Sequence, residues 1–144
     1  MDHDVYDDDY LAGILRSART IAVVGASANP ARASNYVSRF LAERGYAVHP
    51  VNPGHAGQEI DGRRVFARLA DLPVPIDLVD VFRRSEDVPS VVDEVLALDP
   101  LPKAIWMQMG VRSDAAAAKA EAAGIKVVMD RCPMVEIPRL FPDT

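Results

Sequence analysis

Gly25-Ala26-Ser27-Ala28-Asn29-Pro30 closes the apolar run Thr20–Gly25 and leads into a helical pattern that starts near Ser34. A glycine ending such a run, then small residues, then a helix, makes a turn whose backbone N–H groups and helix dipole favour an anion. Arg32 within the turn could add charge and Ser34 a hydroxyl donor, so the expected chemistry is phosphate binding. The plainer alternative is a tight turn with Ser34 as a simple N-cap. Arg83 and Arg84 follow another apolar run, Ile76–Val81, and bring a double cation to the same end of the chain's strands. Two adjacent guanidinium groups suit a ligand with several phosphates. Glu86 and Asp87 stand close enough to answer Arg84 as a surface pair, which makes Arg83 the stronger candidate.

Other chemistries lack their residues. The turn is not G-x-G-x-x-G, no G-x-x-x-x-G-K-[ST] occurs, and Ser27 lies in G-A-S-A-N rather than G-x-S-x-G. The segment Val51-Asn52-Pro53 offers no acid to hold the ribose of NAD, which makes that dinucleotide the weaker ligand. His49 lies within an apolar run and reads as a core or edge histidine, His55 as a solvated loop residue, and His3 as part of an acidic tail. No two of them share metal-ligand spacing with a carboxylate, and no metal or catalytic group is expected. Cys132, the one cysteine, sits between Arg131 and Pro133. A neighbouring cation and a helix starting near Met134 would favour its thiolate and a mixed disulfide with a thiol ligand. The plainer reading is a buried, inert thiol.

Five apolar runs must position these residues: Thr20–Gly25, Tyr46–Val51, Ile76–Val81, Lys103–Met107 and Ile125–Asp130. Helical periodicity lies between most of them. Ser34–Arg44 places Tyr36, Val37, Phe40 and Leu41 on one face and meets Gly45. Pro89–Leu98 repeats that spacing, and Ser113–Ala123 joins an N-cap serine to an alanine-rich helix stopped by Gly124. A further helix, about Tyr10–Ala18, precedes the first run. Strands alternating with helices predict a doubly wound α/β domain with a five-stranded parallel sheet and helices on both faces. Asn52–Pro75, broken by Gly54, Gly57 and Gly62, is expected to be a loop with at most a weak helical turn. Ligands of such sheets lie beyond the carboxyl ends of the strands, where the strand order reverses. Trp106 and Met107 read as sheet core, and the Ala115–Ala118 tract as plain helix whose small residues suit close approach of a partner helix.

The charge is uneven. Asp2, Asp4, Asp7, Asp8 and Asp9 account for the whole net charge of −5, and residues 10–144 balance sixteen acids with sixteen bases. The expected organisation is an acidic, solvated lead-in over 1–9 and one domain over 10–144. A neutral body with no basic stripe excludes the usual mode of nucleic-acid binding. Neither a membrane span nor a secretory signal is expected, and one cysteine fits a reducing cytoplasm.

Taken together, IAVVGASANPARAS (21–34), GYAVHPVNP (45–53), DLVDVFRRSEDVP (77–89), IWMQMGV (105–111) and AGIKVVMDRCPMVE (123–136) resemble the stand-alone CoA-binding protein family. Its Rossmann-like domain also forms the N-terminal part of the succinyl-CoA synthetase α subunit. The resemblance implies coenzyme A or a short acyl-CoA lying across the strand ends. Gly25, Ala26, Ser27, Arg32 and Ser34 would hold phosphates, and Asn52 and Pro53 would border the adenine and ribose. Phe82, Arg83 and Val88 would line the adenosine side, with Gln108 and Gly110 along the pantetheine path. Ala33 stands where the family usually has proline, and Gly54 where a basic residue commonly follows N-P, which removes a phosphate contact and points to weaker affinity. The synthetase reaction is not expected, because these residues hold no counterpart of the later domain with its phosphorylated histidine. The reading is therefore non-catalytic CoA binding. The alternatives are an NAD(P)-binding domain using the same turn, or an interaction scaffold with a vestigial cleft. A homodimer or another protein partner stays open.

Overall fold

β-branched runs too apolar to face water set the centre of the molecule. In the computed structural model, which describes residues 1–142, helix α1 (Asp8–Ser17) leads into β1 (Thr20–Val24), α2 (Ala33–Glu43) and β2 (Ala47–Val51). A hairpin of β3 (Glu59–Ile60) and β4 (Arg63–Arg64) follows, then β5 (Leu78–Val81), α3 (Val88–Leu96) and β6 (Ala104–Met107). The chain ends through α4 (Asp114–Ala122), β7 (Lys126–Val128) and α5 (Pro133–Leu140). The sheet order is β2-β1-β5-β6-β7, and every pair is parallel. This is the expected doubly wound, Rossmann-like architecture. The expected end of the domain at Thr144 lies outside the described residues.

Alternation along the strands sorts the core into two halves. Val24, Val79, Val81, Ile105 and Met107 pack with Val91, Val92 and Val95 of α3 and the small Ala116, Ala117 and Ala120 of α4. Ile21, Val23, Leu78, Trp106 and Val128 pack with Leu11 and Leu15 of α1, Val37 and Leu41 of α2 and Ile137 of α5. Trp106 is fully buried, and its indole N–H donates to the Arg131 carbonyl at 2.9 Å. Ser113 caps α4 as expected, accepting from the Ala116 N–H at 3.3 Å.

The structure differs from expectation in two places. Asn52–Pro75 is more ordered than a loop: besides its hairpin it has short 3₁₀ turns at Pro53–His55 and Leu69–Asp71. Phe66 exchanges backbone hydrogen bonds with Pro50 and Asn52, so this segment lies along the outer side of β2. Helix α5 runs through two prolines. Pro133 stands in its first turn, where no N–H is needed, and Pro138 lies inside a helix of eight residues.

The acidic lead-in, second, keeps its five acids exposed as expected, but it is docked through His3 and Tyr6. The Tyr6 hydroxyl accepts from the Met129 N–H at 2.7 Å and meets His3 Nδ1 at 2.7 Å, while His3 Nε2 reaches Glu121 at 2.8 Å. Asp4 pairs with Arg112 at 2.6 Å and Asp8 with Arg139 at 2.8 Å. The Tyr10 hydroxyl donates to the Val127 carbonyl at 2.8 Å and accepts from the Val127 N–H at 3.0 Å. It thereby satisfies backbone groups of β7 that no strand pairs. Burial pushes the Tyr10 hydroxyl up to about 12. A folded value above the unfolded one, ~10, gives stability that is complete below pH ~10 and lost as pH rises through 12. Tyr10→Phe should therefore lower unfolding free energy by about 1–2 kcal/mol at neutral pH. The difference between variant and parent in urea denaturation should shrink as pH is raised from 10 to 12.

Candidate functional site

The strand order reverses between β1 and β5: β2 lies on one side of β1, and β5, β6 and β7 on the other. A cavity of about 530 Å³ opens there, beyond the carboxyl ends of the strands. Of the residues expected to bind ligand, Gly25, Ala26, Ser27, Arg32, Ser34, Asn52, Phe82, Arg83 and Gln108 line it. A second cavity, about 420 Å³, lies at the opposite end of the sheet between Arg19, Arg44, Tyr46 and Phe141 and contains none of them.

Gly25 sets the shape of the wall. Its φ of +88° is left-handed, and a Cβ built on it would stand 2.5 Å from the Phe82 carbonyl oxygen and 3.2 Å from the Arg83 side chain. Only a residue without a Cβ lets the end of β5 and the Arg83 stem come this close. The N–H groups of Gly25 and Ala26 both donate to the Val51 carbonyl, at 2.9 and 3.3 Å. These amides join the turn to β2. The first-turn amides of α2 at Ala33 and Ser34 have no acceptor within their own helix and border the cavity.

Ser34 is not the N-cap. That position belongs to Arg32, which makes no side-chain capping bond, and Ser34 is a buried residue of the first turn. Asn52 holds loops together: its Nδ2 donates to the Ala26 carbonyl at 2.9 Å and its Oδ1 accepts from the Gly54 N–H at 3.0 Å. Arg83 lies 3.5 Å from Asp87, and Arg84 lies 2.9 Å from Glu86 and 3.3 Å from Asp87. The acids after β5 therefore answer both arginines, and more tightly the exposed Arg84.

Three expected residues lie off the cavity. Val88 is fully buried in the core around α3, because its position at the start of that helix turns its side chain toward the sheet. Pro53 is exposed on the 3₁₀ turn, and the Gly110 N–H is taken by Asp130 Oδ1 at 2.7 Å. Conversely Ala33, His55, Arg84, Met109 and Val111 line the cavity. His55 follows Asn52-Pro53 closely enough for that motif to have found it. Cys132 is buried at the N-cap of α5 and does not line the cavity, which fits the inert reading.

The sequence reading also missed Asp80. It is fully buried in β5, with Val23 and Trp106 as its cross-strand partners. Burial holds its carboxyl well above the usual carboxylate range. The amide end of Gln108 lies 2.9 Å from Oδ1 and 3.2 Å from Oδ2, and its NH₂ group donates there when that end faces an ionised carboxyl. A lone acid in an otherwise apolar strand was the available signal.

A family model described as a CoA binding domain matches residues 19–138. The chain belongs to this CoA-binding domain family. A protein of Bacillus subtilis (strain 168), called uncharacterized protein YneT, is 39% identical over 119 residues, spanning 83% of this chain and 85% of that one. A solved structure from Thermus thermophilus, cell-free ID.343, superposes with a TM-score of 0.88 at 45% identity, covering 94% of this chain and all of that one. The α subunit of an ADP-forming acetate–CoA ligase of Pyrococcus furiosus is 31% identical over 84 residues, 56% of this chain and 18% of that subunit. Of the eight glycines, Gly25 alone would bring an added Cβ within 3 Å of another atom. Gly25→Ala should cost about 2 kcal/mol or more, from the left-handed backbone and the contact with Phe82. The midpoint of urea denaturation measures it, and an unchanged midpoint would show that β1 and β5 can part without loss.

Proposed function

We propose that this protein binds coenzyme A, free or as a short acyl thioester, across the strand ends, without chemistry of its own. One observation carries the reading: among the described residues lining the cavity are three arginines, Arg32, Arg83 and Arg84, and His55, but no carboxylate. Such a lining attracts polyanions and lacks the acid–base pair that hydrolysis or transfer would use. The first-turn amides of α2 would meet a phosphate, Arg83 a second one through charge-assisted bonds, and Gln108 the uncharged arm. The family to which the chain belongs supports the choice of coenzyme A among polyanions. No helix of the described residues is long and apolar enough to cross a membrane. A single free cysteine, Cys132, is what supports a reducing, cytoplasmic setting.

Calorimetric titration with CoA, dephospho-CoA and NAD⁺ tests the reading. CoA should bind, dephospho-CoA more weakly, and NAD⁺ not at all. Binding of NAD⁺ alone would replace the proposal with a dinucleotide site on the same turn. Silence from all three would leave an interaction module. Arg83→Ala should weaken CoA about tenfold or more, the scale of one bond between charged groups. It should also flatten the dependence of affinity on salt.

A further inference from the structure

The polar pair beneath the cavity has two states that differ in what they offer a ligand. Asp80 is wholly buried, and Gln108 is its hydrogen-bond partner. If the carboxyl is ionised, the Gln108 NH₂ group must turn down to it, and the amide oxygen is left for the cavity. If the carboxyl carries a proton, it donates to the amide oxygen, and the NH₂ group is left for the cavity. The heavy-atom positions are the same in both states, so a proton alone selects between a donor and an acceptor.

We propose that Asp80 is a positioning residue that donates its proton to Gln108 Oε1 and so presents the Gln108 NH₂ group to a carbonyl oxygen of the ligand. The ligand class is an amide or thioester arm, and the inference rests on the CoA reading for that arm. β1 and β6 place no ionisable side chain beside Asp80. The helices packed on this face carry Asp8, Asp9, Tyr10 and Arg16 (α1), Tyr36, Arg39 and Glu43 (α2), and Glu136 and Arg139 (α5), with Arg32 and Cys132 at the caps of α2 and α5. None of them pairs with Asp80 among the described residues, so burial governs the proton, and burial favours the neutral acid.

The carboxyl carbon of Asp80, followed by NMR in the ligand-free protein, gives the first test. A carboxylic acid at pH 7 is expected; a carboxylate at pH 7 overturns the proposal whatever the protein binds. The second test compares CoA with adenosine 3′,5′-bisphosphate, which lacks the arm. Asp80→Leu, an apolar exchange of similar size that the core should accept, is expected to weaken CoA three- to tenfold and leave the bisphosphate unchanged. Asp80→Asn keeps a neutral donor and is expected to restore CoA affinity and to remove any fall in affinity at high pH that the parent shows. Equal loss of both ligands in Asp80→Leu, or no rescue by Asp80→Asn, would overturn the positioning role. Failure of CoA and the bisphosphate to bind the parent would overturn the CoA reading, and with it the ligand half of the proposal, while the NMR result stands alone.

Discussion

The contact between Gly25 and the Phe82 carbonyl is the constraint on which the site depends. β1 and β5 are neighbours, and the chain leaves them in opposite directions, β1 toward α2 and β5 toward α3. The gap between those departures becomes a cavity only if both strands end at the same level. Removing the Cβ at one position lets that happen. It also brings the Arg83 stem over the turn, so a backbone requirement and a charge requirement are met by one residue type. Asn52 then ties the third loop to the same point through the Ala26 carbonyl.

Charge is separated by depth. Cations with long, flexible stems stand at the rim, and a buried acid, Asp80, lies in the sheet beneath them. An ionised carboxylate there would oppose an anionic ligand. Burial between Val23 and Trp106 removes that opposition by favouring the uncharged form. Arg83 and Arg84 are kept from mutual repulsion by Asp87, which pairs with both.

How much of this was legible follows from what each residue signals locally. The strands were visible because parallel strands are apolar on both faces and read as unbroken runs. Gly25 and Arg83 were visible because they end such runs. The start of helix α5 near Met134 was legible, and Pro133 in its first turn agrees with it, whereas Pro138 gave no sign that the helix would continue. Ser34 resembled a cap because serine usually is one, whereas the helix begins one residue earlier. Val88 followed the arginines in the motif, but helical geometry turned it into the core. His3 and Tyr6 were hidden by the acids around them, since their partners, Glu121 and Met129, lie more than a hundred residues away in the chain. Such pairings depend on tertiary structure, and no local pattern announces them.

The two tyrosines on β7 bear on how the protein fails rather than how it works. A parallel sheet has two open margins, and each is a template on which another chain can add a strand. Along β2 the Phe66 segment occupies that template, within one continuous stretch of backbone. Along β7 it is occupied only by the hydroxyls of Tyr6 and Tyr10. The first ten residues cover that margin through a small set of side-chain contacts to the Val127 and Met129 backbone. The acidic run that surrounds the tyrosines brings like charge to any second molecule approaching that margin.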